Sequence, residues 1–302
     1  MWAKKIIRFL SIFKDAYERF MFSKPLRMAS STAYFTIFAL PPILIILINL
    51  LGAFLNENMV SGEFFGELKE SFGEEGTVLL QTIFNNLQQR EGNLLFTIGG
   101  VVLLFFISTT LFMIVQGYID ELWDIKPKKS SKRKEFTLVL KQRLKSLGII
   151  IFSGLLVLSS LVSDTLLYVL NGYLEKIIPR YNLDILHIVS HIVSILVETV
   201  WFAVLFRYLP SMRISWQAVF AGAAVTGIMF EFGKIIMGKL LVNSGVTSVY
   251  GAAGSFVLLL LFIFYSSMIL FYGASFTNTF AQQTGKHMVL KPHAIKYEIK
   301  EL

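Results

Sequence analysis

Six stretches of largely apolar residues, about 31–54, 94–118, 146–170, 187–209, 216–240 and 251–277, constrain this chain more than any other feature. About 20 such residues in a helix cross the ~30 Å hydrocarbon core of a bilayer, so each stretch is long enough to span. The reading is an all-α polytopic membrane protein with six transmembrane helices. Composition agrees, because charged residues make up 16% of the 302 against ~25% in soluble domains. Such a chain is no water-soluble globule. The absence of cysteine excludes a disulfide framework, a thiolate nucleophile and Cys-ligated zinc or iron–sulfur centres.

The distribution of Lys and Arg predicts the orientation. Residues 1–30 carry seven, 119–146 nine and 278–302 four, while Arg207 and Arg213 flank the fourth loop. The opposite side has Lys69, Arg90, Lys176 and Arg180. By the positive-inside bias, both termini and loops two and four are cytoplasmic. The chain then divides into an N-terminal segment 1–30, a membrane domain 31–277 and a C-terminal tail 278–302. The tail after about 284 is expected to be only partly ordered.

Trp2, Ile6, Phe9, Leu10, Phe13, Tyr17 and Phe20 recur at helical spacing opposite Lys4, Lys5, Arg8, Asp15, Glu18 and Arg19. This amphipathic pattern fits a helix on the membrane surface or one packed on the bundle. The exterior loop 56–93 carries seven glutamates and two helical apolar patterns separated by Gly73 and Gly76, predicting short capping helices. The run Lys126 to Lys134 within the cytoplasmic loop 119–146 suits anionic lipid headgroups, at about 1 kcal/mol per basic residue. Nucleic acid is not an expected partner.

Ionisable residues inside a bilayer normally face a protein interior or a wet cavity. Here they are Asp164, Glu198, Glu231 and Lys234, with His187 and His191 nearer the exterior end. Glu231 and Lys234 stand three apart on one helical face and can pair; Asp164 has the depth of a second partner for Lys234. These residues either fix helix register as a buried ion pair or line a pathway for a headgroup, ion or proton.

Pro41 and Pro42 in span one predict a kink or break. Pro210 ends span four, and Gly233 and Gly251 belong to small-residue runs in spans five and six that serve close packing or a hinge, and that also permit a homo-oligomer. Arg207 and Arg213 suit a phosphate headgroup or plain interfacial anchoring. Asp120 and Glu121, ending span two on the same side, are candidates to meet them in a cytoplasmic gate. A P-loop, H-E-x-x-H and a flanked serine nucleophile are all missing from the sequence, and neither cofactor nor metal is expected. The His187 and His191 pair offers two nitrogen ligands without an evident third. The chain is not expected to be an enzyme.

Ala33-Tyr34-Phe35 with Leu40-Pro41, Arg207-Tyr208-Leu209-Pro210, Glu231-Phe232-Gly233-Lys234, Tyr250-Gly251-Ala252 and Phe271-Tyr272-Gly273-Ala274 stand in that order on the spans. In this the chain resembles the YihY/BrkB family of bacterial inner-membrane proteins, from about residue 10 to 283. The resemblance implies a transporter-like protein, with envelope-lipid transport the leading suggestion, and it carries over Arg207, Glu231 and Lys234. Asp164 and Glu198 rest on burial alone. Some members bear an older ribonuclease BN label, which this sequence argues against: its histidines, at 187, 191, 287 and 293, lie in a span and a tail. The expected function is ATP-independent transport or flipping of a lipid or other amphipathic anion in the bacterial cytoplasmic membrane, with proton coupling through the interior acids. The alternative is a non-transporting scaffold that recruits an envelope-assembly partner through loop 56–93.

Overall fold

The computed structural model describes residues 2–52, 77–78, 81–82, 85, 94–128, 136–156, 183–243 and 254–297. In chain order these form α1 (Trp2–Phe22), α2 (Pro25–Gly52), α3 (Leu94–Leu122), β1 (Ile125–Pro127) and the helical stretch 136–156, here α4. There follow α5 (Leu183–Tyr208), β2 (Met212–Ile214), α6 (Trp216–Asn243), α7 (Gly254–Gln283), β3 (Met288–Leu290) and β4 (Ala294–Lys296). Predicted spans one, two, four, five and six thus each fall on one long helix. Helix α7 runs six residues past the expected end of its span.

Three stretches among the described residues are long and apolar enough to cross a membrane: Val189–Tyr208, Trp216–Ile236 and Phe256–Gln283. Large apolar side chains stay exposed along them, Ile192, Leu196 and Val200 on α5 and Ile228, Phe232 and Ile236 on α6. Their fourfold spacing gives each helix a continuous outward apolar stripe. Such stripes suit lipid rather than water. The protein is a membrane protein.

Helix α5 packs on α6, α6 on α7, and α7 on both α1 and α2, with α3 against α2. The α6–α7 contact is reciprocal. Thr277 lies over Gly222 and Thr226 over Gly273, so a Cβ at either glycine would overlap the opposing threonine hydroxyl. Each threonine returns its hydroxyl to its own helix, Thr226 to Gly222 O and Thr277 to Gly273 O. Gly233 likewise takes the ring of Tyr265, and a Cβ there would collide with it. These glycines set close helix approach. Gly251 lies outside the described residues.

The largest fully buried side chains, among them Trp123, Phe206, Phe271, Phe276 and Met28, gather where α3, α5 and α7 end and α2 begins. At this end two short antiparallel ladders form, β1 with β4 and β2 with β3. We call it the sheeted end. The ladders correct one expectation: the chain is mainly but not wholly α-helical. They also give the tail two strands, β3 and β4. The strands after α7 are strapped in turn to the loop after α5 and to the loop after α3.

Helix α1 settles on the bundle from residue 12 onward. Ile12, Ala16 and Phe20, spaced by four, are buried, Phe13 meets Phe276 with ring centres 4.7 Å apart, and the Ser275 hydroxyl donates to Ala16 O at 2.8 Å. The buried stripe differs from the predicted apolar face, since Tyr17 of that face is 52% exposed. Helix α2 is not broken at Pro41 and Pro42, which are buried within it. The two prolines remove donors only to Ile37 O and Phe38 O, and the remaining turns stay helical.

Candidate functional site

Four ionisable side chains from α5 and α6 meet inside two of the stretches long and apolar enough to cross a membrane. Lys234 Nζ lies 2.7 Å from Glu198 Oε1 and 2.6 Å from Glu231 Oε2. Glu231 Oε1 in turn lies 2.6 Å from His191 Nδ1. Helical geometry explains the convergence. Glu231 and Lys234 share a face at i, i+3, and His191 and Glu198, seven apart, are two turns apart on one face of α5. Gly227 lets the helices approach, since a Cβ there would come within 2.9 Å of Thr199 Oγ1.

The cluster is graded in exposure. Glu231 is 7% and Glu198 13% exposed at the side chain, Lys234 30% and His191 53%. Glu198 lies ten residues before the end of α5, about 15 Å from the sheeted end at 1.5 Å per residue, and Glu231 about 22 Å from the start of α6. Glu198 Oε2 is buried without a hydrogen-bond partner. An unpaired carboxylate oxygen in an apolar setting carries a desolvation cost and can accept a proton, a cation or water.

The sequence brought out three of these four side chains as interior charges. The second carboxylate on Lys234 is Glu198; Asp164, expected in that place, lies outside the described residues. His191 stands in the sequence only as half of a histidine pair nearer the exterior end. Its partnership needs the register of α5 against α6, which no local spacing encodes.

The residues expected at the opposite face come together differently. Asp120 accepts the backbone N–H and the hydroxyl of Ser211, both at 2.7 Å, and Gln116 donates to that hydroxyl at 3.1 Å. Burial raises the Asp120 pKa above the usual carboxylate range. Lys145 donates to Leu209 O, and Lys291 to Pro210 O and Tyr208 O. Burial lowers Lys145 to about 7, with the neighbouring Lys291 charge adding to the effect, and lowers Lys291 as well.

Arg207 donates to Ile214 O and stands 5.2 Å above the Trp216 ring, so it closes the α5–α6 turn in which Pro210 stops α5. Arg213 is exposed on β2. Glu121 pairs with Arg27 instead of an arginine of that turn. The expected gate between Asp120 or Glu121 and Arg207 or Arg213 is therefore not formed: Asp120 is held by the backbone of the turn, and Arg207 by its last carbonyl.

A helical membrane protein with ionisable groups paired side chain to side chain between two of its long apolar helices is the class this fold and site define. The family model described as Virulence factor BrkB matches residues 16–297, and the chain belongs to that family. Its relatives include the UPF0761 membrane protein of Saccharophagus degradans, 22% identical over 91% of this chain and 60% of that protein. That of Teredinibacter turnerae is 23% identical over 85% and 57%, and RSc1559 of Ralstonia nicotianae 26% over 84% and 55%. The chain thus spans less than two thirds of the length of these relatives. No solved structure matches it.

Proposed function

We propose that the chain is an ATP-independent transporter or flippase of a lipid or other amphipathic anion in the bacterial cytoplasmic membrane, driven or gated by one proton at the α5–α6 cluster. In this reading six helices span the bilayer, and both termini and the sheeted end face the cytoplasm, where most of the Lys and Arg fall.

The observation that carries it is the composition of the cluster. One ammonium, two carboxylates and one imidazole leave an excess negative charge when both acids are ionised and the imidazole is neutral. A single proton brings the sum to zero. An uncompensated charge within a bilayer is costly, so the proton-bound form is the resting form. Glu231, the most buried member, touches both Lys234 and the most exposed member, His191, and so links the two ends of the cluster. Release of the proton favours entry of a cation or a rearrangement of α5 on α6, which is how binding of one species is coupled to movement of another. On the sheeted face Arg213 stays available to an anionic headgroup, whereas Arg207 is engaged in its turn.

The test is translocation of fluorescent phospholipid in liposomes holding the purified chain, with and without an imposed proton gradient. Translocation above protein-free vesicles that responds to the gradient and falls at least tenfold in Glu231→Gln supports the reading. Translocation that ignores both overturns the proton-linked mechanism, and its absence with a range of headgroups overturns lipid as the substrate.

A further inference from the structure

A cleft of about 530 Å³ opens at the sheeted end, away from the α5–α6 cluster. It lies where the α1–α2 elbow faces the turn between α3 and β1 and the end of β4. Its charged lining is Arg19, Lys24, Arg27 and Lys296 with Glu121 and Asp124. Arg19 pairs with Asp124 and Arg27 with Glu121. Lys24 and Lys296 have no carboxylate partner among the described residues, and the lining is left with two excess positive charges.

The backbone at the cleft is unusual in the same places. Lys24 and Asp124 have φ of 56° and 57°, and they are the non-glycine residues with positive φ among the described residues. Each follows a helix at the position where glycine commonly stands. Both elbows instead hold a charged residue there, and the Arg19 to Asp124 pair ties one elbow to the other. Pro25 opens α2 without an N–H, and the Lys24 and Arg27 N–H groups donate to Met21 O and Lys24 O, so the lysine side chains supply the attraction for an anion.

The rim is apolar. Phe22 and Leu26, on either side of Lys24, are 68% and 65% exposed, at the foot of a helix that continues into an apolar stretch. Anionic head and apolar body are thus both provided for within one turn of chain.

We propose that this cleft binds the phosphate of an anionic phospholipid, held by Lys24 and Lys296, with its acyl chains along Phe22 and Leu26. This rests on the sheeted end facing the headgroup layer, as the proposed function has it, but not on the proton site or on transport. A headgroup fixed there also anchors α1 to the start of α2.

The test uses the full chain in detergent, with lipids counted by native mass spectrometry. Phosphatidic acid and phosphatidylglycerol are compared with phosphatidylcholine. The wild type should hold the anionic lipids about tenfold more tightly. Lys24→Gly with Lys296→Met should reduce that preference to twofold or less, while the equally charge-reducing Lys14→Met with Lys286→Met should keep it. Glycine suits the backbone at position 24, so the variant should unfold no earlier than the wild type; the melting temperature checks this, and Lys296→Met alone gives an intermediate preference. Undiminished preference in the folded cleft variant overturns the site. Displacement of the lipid by millimolar glycerol 3-phosphate overturns lipid in favour of a soluble phosphate. Glu231→Gln should hold lipid like the wild type, so failure of the transport reading leaves this measurement standing.

Discussion

Around the turn that follows α5, charged side chains bind backbone. Asp120 takes the Ser211 N–H, Lys145 and Lys291 supply the carbonyls of Leu209, Tyr208 and Pro210, and Arg207 reaches Ile214 O. Between α5 and α6 the charges bind only one another, Lys234 with Glu198 and Glu231, and Glu231 with His191. The difference follows from secondary structure. Where helices end, carbonyls and N–H groups lose their intrahelical partners, and side chains take their place. In mid-span the backbone is already paired, and charges placed there have only each other. A charge that closes a helix end is fixed by the fold. One held by other side chains can change partner or proton without unfolding anything.

The strongest way to break this contrast is Lys234→Met, which strands two carboxylates in the span. Removing one partner of a buried pair costs on the order of 3 kcal/mol. The loss should show as earlier thermal unfolding in detergent and should be smaller in Lys234→Arg, which keeps the charge. Equal destabilisation in both variants would mean that Lys234 acts through packing alone.

Next is Asp120→Ala, which leaves the buried Ser211 N–H without an acceptor at a cost of about 2 kcal/mol. Asp120→Asn keeps a carbonyl oxygen for it and should lose less than half as much. Transport per folded molecule should be unchanged in both, and a drop would place Asp120 in the pathway.

The pH dependence of stability sharpens the contrast further. Burial holds Lys145 near 7 against an ordinary 10.5, and Lys291 is displaced the same way. Between those values the unfolded chain binds more protons than the folded one, so stability should rise with pH from about 7 toward 10. Lys145→Met should flatten part of that rise, whereas Glu231→Gln should leave it in place. Melting temperatures across this range decide it. The smallest effect belongs to Lys24→Gly, where relief of a left-handed backbone should raise stability by about 0.5 kcal/mol; a lower melting temperature would show that the Lys24 side chain supports the elbow.

Much of the helical frame was legible because it is written in runs of one character. The limits of α2, α3, α5 and α6 follow apolar stretches, and the pairing of Glu231 with Lys234 follows from helical spacing. In α1 the amphipathic pattern named Phe20, which is buried, but also Tyr17, which is 52% exposed, and it missed Ile12 and Ala16, because the face of α7 that receives the helix is not written in its own periodicity. Strands β1 to β4 left no trace, since three residues are too few for a periodic signal and their partners lie far apart in sequence. Glu198 and His191 joined the Glu231 and Lys234 pair only through the register of two helices, and Asp120 met Ser211 through a turn whose geometry no motif records. What stayed hidden in each case was a contact between elements.

The most direct measurement compares the two regions in one assay. Fluorescent phospholipid translocation is read in proteoliposomes for Glu231→Gln and His191→Gln beside Asp120→Asn and Lys145→Met, each corrected for folded protein. The expected result is a loss of at least tenfold for the first pair and a change within twofold for the second. Equal rates in all four, or a loss confined to Asp120→Asn and Lys145→Met, would contradict the placement of function in the α5–α6 cluster.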